Sequence, residues 1–357
     1  MEIGSIFEID PRDIFCEPKY SLTAYTFNED SLNFSYFNTG RSAIEALLSY
    51  LKFCGNERIW LPSFNCSSVR DAAERAGMEV CLYKVHRNLL VDTGFNDHVS
   101  DKDIVYFVNF FGKLELDSTY AKIAVLKQQG ILVVEDLTLA LLSENEHLCF
   151  GDYIIGSVRK WLPITDGGFV ASSKPLPEFE KEQASNDYTL YYFAAQMMKT
   201  EYLKDKKLDK QVFLDISNIG MKALFSDYKI RSMSAISERI IMATDMRKTA
   251  DTRIANYDML YAALQGVQEV ELLVERQDGM CPLGILISVE NRDELFRHLI
   301  ANGIYCNIHW RPNDSTAAYS DSNYLAEHCL TIPCDQRYGK EEMQYISKTI
   351  KSFFNHV

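Results

Sequence analysis

The chain has 357 residues, a formal net charge of −13, 47% hydrophobic and 24% charged residues, a balance that excludes a disordered chain and makes a nucleic-acid backbone a poor partner. No apolar run reaches the length of about eighteen residues needed to span a bilayer, and the opening MEIGSIFEIDPRDIF carries acids where an export signal carries lysine or arginine. Nine scattered cysteines without a CxxC pair argue against both a disulfide framework and a zinc site, so a soluble protein of a reducing cytoplasm that holds no metal is expected.

The first clear element is RSAIEALLSYL, where Ile44, Leu47, Leu48 and Leu51 fall on one helical face. Strands are predicted at 58–62 (RIWLP), 79–85 (EVCLYKV), 103–109 (DIVYFVN), 131–136 (ILVVED), 153–158 (YIIGSV) and 168–173 (GFVASS). Two amphipathic helices, SVRDAAERAG and DSTYAKIAVLKQQG, separate several of them and close on glycine. That alternation predicts an α/β fold with a mainly parallel sheet flanked by helices.

From 176 to 265 the pattern is mostly helical, with one long stretch from Ser232 to Gln265. Beyond it CPLGILIS, NRDELFRHLIANG, IYCNIHW, LTIP and KEEMQYISKTIKSFF alternate again in a smaller unit. We therefore expect a large domain over 1–235, with an N-terminal arm to about 35, and a linking helix with a small C-terminal α/β domain over 236–357.

Open α/β sheets deliver functional groups at the carboxyl ends of their strands. Asp136 ends ILVVED there, and Lys160 follows YIIGSV with Ser157 three residues before it. Gly40, Arg41 and Ser42 open the first helix, where free N–H groups, a hydroxyl and a guanidinium suit a phosphate. An amine that captures aldehydes, a carboxylate for a pyridine nitrogen and a phosphate cup are together what pyridoxal phosphate (PLP) requires. Gly167 and Gly168 let the backbone pass close to Lys160.

At these motifs the chain resembles the fold-type-I PLP enzymes of the DegT-type sugar aminotransferase family. NTGRSA resembles the family's phosphate-binding helix start, IWLPSFNCSSVRDAAERAG the segment with the ring-stacking side chain, VVEDLTLA the aspartate motif and SVRKWLPITDGG the lysine motif. GIYCNIHWRP and CLTIPCDQRYGKEEMQYISKTIKSF resemble its C-terminal segments.

The chain departs from the family at three positions. Cys66 stands where an aromatic residue covers the ring, and Leu139 where glutamine or histidine contacts the ring hydroxyl, leaving Thr138 or Asn109 for that contact. Lys229 stands where an asparagine reaches the neighbouring subunit's phosphate.

The resemblance implies a homodimer with shared sites. It also implies an aminotransferase moving an amino group from an amino acid, usually glutamate, to a keto-sugar linked to a nucleotide, for surface polysaccharide or related sugars. Lys160 would be the catalytic lysine and proton carrier, Asp136 the partner of the ring nitrogen, and His309 would face the site from the small domain. Two other readings stay open: a PLP enzyme acting on an amino acid, with Arg311 forking onto its carboxylate, and a PLP-fold binding protein whose site has decayed.

Overall fold

The computed structural model describes residues 1–15, 17, 19–22, 32–112, 118–144, 149–310 and 317–354. Their large unit runs β1 (Ile3–Gly4), α1 (Pro11–Phe15), β2 (Asn33–Phe37), α2 (Gly40–Phe53), β3 (Arg58–Pro62), α3 (Ser67–Arg75), β4 (Glu79–Tyr83), β5 (Asp103–Val108), α4 (Ser118–Gln128), β6 (Leu132–Asp136), β7 (Tyr153–Gly156) and β8 (Gly168–Ser172). Four helices follow, α5 (Asn186–Asp205), α6 (Lys210–Ser226), α7 (Ala235–Ala243) and α8 (Met246–Leu264). The smaller unit adds β9 (Glu271–Leu272), β10 (Ile285–Ser288), α9 (Arg292–Ala301), β11 (Ile304–Tyr305), α10 (Ser320–His328), β12 (Cys329–Ile332) and α11 (Lys340–Phe354). Among the described residues no helix is long and apolar enough to cross a membrane.

Seven strands form the main sheet in the order β2-β8-β7-β6-β5-β3-β4. β4, β3, β5, β6 and β7 are mutually parallel, whereas β8 runs antiparallel to both β7 and β2. β5 and β8 are buried along their whole length, which explains their near-continuous apolar sequence: both faces of such a sheet are covered. Because β4 lies on one side of β3 and β5 on the other, the chain order reverses there. The crevice beyond the carboxyl ends at such a reversal is where ligands bind in open α/β sheets.

β2 is a strand that alternation did not predict, because it lies at the sheet edge with only its last residue, Phe37, fully covered. The predicted single stretch from Ser232 to Gln265 is two helices. Asp245 caps the second by accepting the Lys248 N–H at 2.9 Å, and a side chain that satisfies a free helix donor starts a new helix rather than continuing the old one. The strand predicted from 304 pairs only at Ile304–Tyr305, with the N-terminal β1, and then makes a single bridge from Asn307 to Thr331.

β10 is the centre of the small antiparallel sheet β12-β10-β9. One apolar core runs from the parallel strands into this unit, joining residues such as Val105 and Val133 to Ile285, Leu330 and Ile350. A second cluster, centred on Trp161, Leu162, Phe169 and Met233, packs beneath the segment after Lys160.

Candidate functional site

Asp136 is the last residue of β6 and is buried. Its Oδ1 accepts the Thr138 N–H at 2.7 Å and its Oδ2 accepts the Tyr106 hydroxyl at 2.7 Å. One strand over, β7 ends at Gly156, and Ser157 leads into a single 3-10 turn, Val158–Lys160.

Lys160 is half-buried, and the desolvation of its amine holds it below the ordinary lysine range. The Arg159 charge works in the same direction, while the nearby Cys66 and Asp136 oppose it. Burial likewise pushes the His309 imidazole down to about 3, with the Lys160 charge assisting. His309 is thus neutral at pH 7; its Nδ1 lies 2.9 Å from Thr331 Oγ1 and its ring meets Phe111 edge-on at 5.4 Å. Four segments distant in sequence, the residue before α3, the end of β6, the turn after β7 and the stretch after β11, bring Cys66, Asp136 and His309 within electrostatic reach of Lys160.

Beside it, α2 starts behind Thr39, whose Oγ1 accepts the Ser42 N–H and donates to Ser42 Oγ, both at 3.0 Å. Among the described residues the N–H groups of Gly40 and Arg41 find no protein acceptor, as expected for the first turn of a helix. Ser157 adjoins them: a Cβ added at Gly40 would lie 3.3 Å from Ser157 Cβ and 3.8 Å from its Oγ. The close approach depends on Gly168, where a Cβ would fall 2.3 Å from the carbonyl carbon of Thr39 and 2.4 Å from Gly40 N. Gly167, at φ +147°, donates its N–H to Asn38 O at 2.7 Å. The double glycine therefore seats the Lys160 segment against the start of α2.

Several expected residues lie elsewhere. The Arg41 guanidinium turns away from the helix start and donates to the carbonyls of Leu224 (2.9 Å) and Asp227 (3.1 Å) at the end of α6, over the Tyr228 ring. An arginine on the first turn here caps a neighbouring helix's carbonyls, and only its backbone N–H remains at the anion position. Asn109 donates to Glu135 Oε1 and accepts from Tyr120, both at 2.8 Å. The register pairs Phe107 with Glu135 and Val108 with Asp136, so the Asn109 side chain keeps to the face opposite Asp136.

Thr138 stays beside Asp136 through its backbone, and its carbonyl accepts the Trp161 indole N–H at 2.9 Å. Leu139 is buried in the core. Lys229 is exposed and paired with Glu182 at 2.9 Å, and Arg311 lies outside the described residues.

Two contributors escaped sequence reasoning. Tyr106 sits in a strand whose sequence, DIVYFV, reads only as core, and it reaches Asp136 because β5 and β6 are neighbours in this register. Arg253, fully buried on α8, donates to the carbonyls of Trp161 (3.3 Å), Pro282 (3.3 Å) and Leu283 (3.1 Å) and to Gln336 Oε1 (2.7 Å). Gln336 Nε2 also donates to Trp161 O, at 2.7 Å. The small unit thereby grips the residue next to Lys160, which no local pattern on an amphipathic helix announces.

No protein-family model matches the chain, and no curated protein matches its sequence. Solved structures do match. The aminotransferase TlmJ from Streptoalloteichus hindustanus superposes with a TM-score of 0.68 at 14% identity, over 94% of this chain and 89% of that one. A DegT/DnrJ/EryC1/StrS aminotransferase from Brucella abortus gives 0.65 at 15% identity, over 97% and 91%. The GDP-4-keto-6-deoxy-D-mannose-3-dehydratase of E. coli, solved with bound hydrated PLP, gives 0.67 at 13% identity, over 98% and 100%. The chain has the fold of these proteins, the fold-type-I architecture of a large mainly parallel sheet with a smaller α/β region.

Proposed function

We propose that the protein is a PLP-dependent aminotransferase that passes an amino group from an amino acid, glutamate in the first instance, to a nucleotide-linked keto-sugar. The observation that carries this reading is the convergence of Lys160 and Asp136 beside unpaired helix N–H groups. The donor set fits the cofactor: the N–H groups of Gly40 and Arg41 with the Ser157 hydroxyl suit its phosphate, and the Asp136 carboxylate suits its ring nitrogen. When bound, PLP supplies an aldehyde that captures amines and a ring that draws electrons from the adjacent carbon.

The residues supply the rest. Burial leaves more of the Lys160 amine neutral, so its Nζ can attack a carbonyl carbon and afterwards take and return a proton. His309, neutral and anchored by Thr331, offers a hydrogen bond to a sugar hydroxyl or keto oxygen rather than a charge. Phe64, Phe110 and Trp310, in mutual ring contact with centroids 4.9–6.4 Å apart, form an apolar wall beside His309 that keeps water away.

A sugar substrate is supported by the E. coli neighbour, which by its name acts on a GDP-linked keto-sugar.

The test has two stages. Protein incubated with PLP, reduced with borohydride and mapped by peptide should carry the label on Lys160; label on another lysine overturns the assignment. Protein converted by glutamate to its amine form is then offered nucleotide-linked keto-sugars and 2-keto acids. Recovery of the starting spectrum with a keto-sugar supports the proposal, and recovery only with 2-keto acids moves the protein to amino-acid metabolism.

A further inference from the structure

Tyr106 is the one hydroxyl in a strand buried along its full length. A phenol there must find an acceptor or lose the hydrogen bond it had with water, and it finds the Oδ2 of Asp136 at 2.7 Å. The strand register places Tyr106 opposite Val134 and Val108 opposite Asp136, so phenol and carboxylate share a sheet face. The Tyr106 backbone is itself fixed, since its carbonyl accepts the Tyr83 hydroxyl at 2.8 Å and Tyr83 stacks on Phe95 at 4.6 Å. Burial, with the Asp136 charge beside it, holds the Tyr106 phenol well above the usual tyrosine range, which makes it a permanent donor. With Thr138 N–H on Oδ1, each carboxylate oxygen has one internal donor and keeps a further lone pair.

We propose that Tyr106 is a positioning residue that holds Asp136 as an oriented carboxylate and thereby keeps the shared proton on the ring nitrogen of a bound pyridine cofactor. The physical reason is that a hydrogen bond donated to a carboxylate favours its charged form. When the proton sits between the carboxylate and a pyridine nitrogen, whatever stabilises the anion leaves the proton on nitrogen. The inference rests on the PLP reading above.

The test uses the full-length protein loaded with PLP carrying nitrogen-15 in its ring, followed by NMR across a pH series. Wild-type protein should show the shift of a protonated ring nitrogen; Tyr106→Phe should move that shift towards the unprotonated value on the low-pH plateau, as the shared proton passes towards the carboxylate, and should raise the pH midpoint at which the pair loses the proton by about one unit, because a carboxylate without its donor holds the proton more tightly. In an Asp136→Asn background the same replacement should shift nothing further, which a merely structural tyrosine would not reproduce. A wild-type protein that binds no PLP defeats the cofactor reading itself. A wild type that binds PLP, with an unchanged midpoint in a folded Tyr106→Phe, overturns the role of Tyr106 alone. Should Tyr106→Phe fail to fold, a ring-fluorinated tyrosine placed at 106 keeps the shape and strengthens the donor; its midpoint should fall, and no movement overturns the inference.

Discussion

Arg41→Ala separates what an arginine at a helix start suggests from what this one does. Its guanidinium satisfies two carbonyls at the end of α6 and lies over Tyr228, so its removal should cost about 1–2 kcal/mol of stability. Phosphate binding would keep the backbone N–H groups and Ser157, so PLP affinity should change little; a large loss of affinity with unchanged stability would place the guanidinium in the site after all.

His309 has a pH signature. Its folded value of about 3 lies below the ordinary 6.5, so between those values the unfolded chain binds a proton that the folded chain refuses. Stability should therefore fall as pH drops from about 6.5 towards 3, by at most ~1.4 kcal/mol per unit from this group. Denaturant unfolding at pH 7 and pH 5 should show a smaller loss in His309→Gln than in wild type. An equal loss in both would mean that the imidazole is accessible to protons in the folded state.

At the scale of elements, the strand ends that carry Asp136 and Lys160 were legible, because buried runs such as LVVED and YIIG leave a fully covered strand as their best fit. β2 was not, since an edge strand buries too little to show a pattern. The junction between β8 and α2 is more demanding than its sequence suggests. Gly168→Ala would drive a Cβ to 2.3 Å from the Thr39 backbone, so we expect a loss of roughly 1–3 kcal/mol in stability together with a clear loss of PLP affinity, as the start of α2 moves from Ser157. Retained affinity would show that the phosphate cup lies elsewhere. Arg253→Met would strip the Pro282 and Leu283 carbonyls of this donor, leave the Trp161 carbonyl to Gln336 alone and should cost about 3 kcal/mol. Arg253→Lys should recover only part, because an ammonium cannot fork as a guanidinium does. Thermal unfolding checks both.

For the whole molecule, the N-terminal arm ties the two units. β1 pairs with β11, and the carbonyls of Gly4 and Ile6 accept from both Lys199 on α5 and Arg337 before α11. We keep the proposal that the active protein is a homodimer in which Lys229 serves the neighbouring site; within one chain it is exposed and, among the described residues, paired with Glu182. Mixing Lys160→Ala chains with Lys229→Glu chains, each inactive alone, should restore activity, since one site of each mixed dimer regains both residues. No recovery in proven mixed dimers of folded chains would return Lys229 to a surface ion pair.

What the sequence determined by itself was the order of buried strands and amphipathic helices, and with it the strand-end positions of Asp136 and Lys160. Those follow from local burial and from chain direction, which any fold of this pattern must respect. What only the tertiary structure decided was direction and partnership: that Arg41 turns to α6, that Asn109 keeps to the far face with Glu135, that Tyr106 meets Asp136, and that Arg253 reaches Trp161 from 92 residues away. A side chain's partner depends on strand register and on packing between segments distant in sequence, and neither is encoded in the few residues around it.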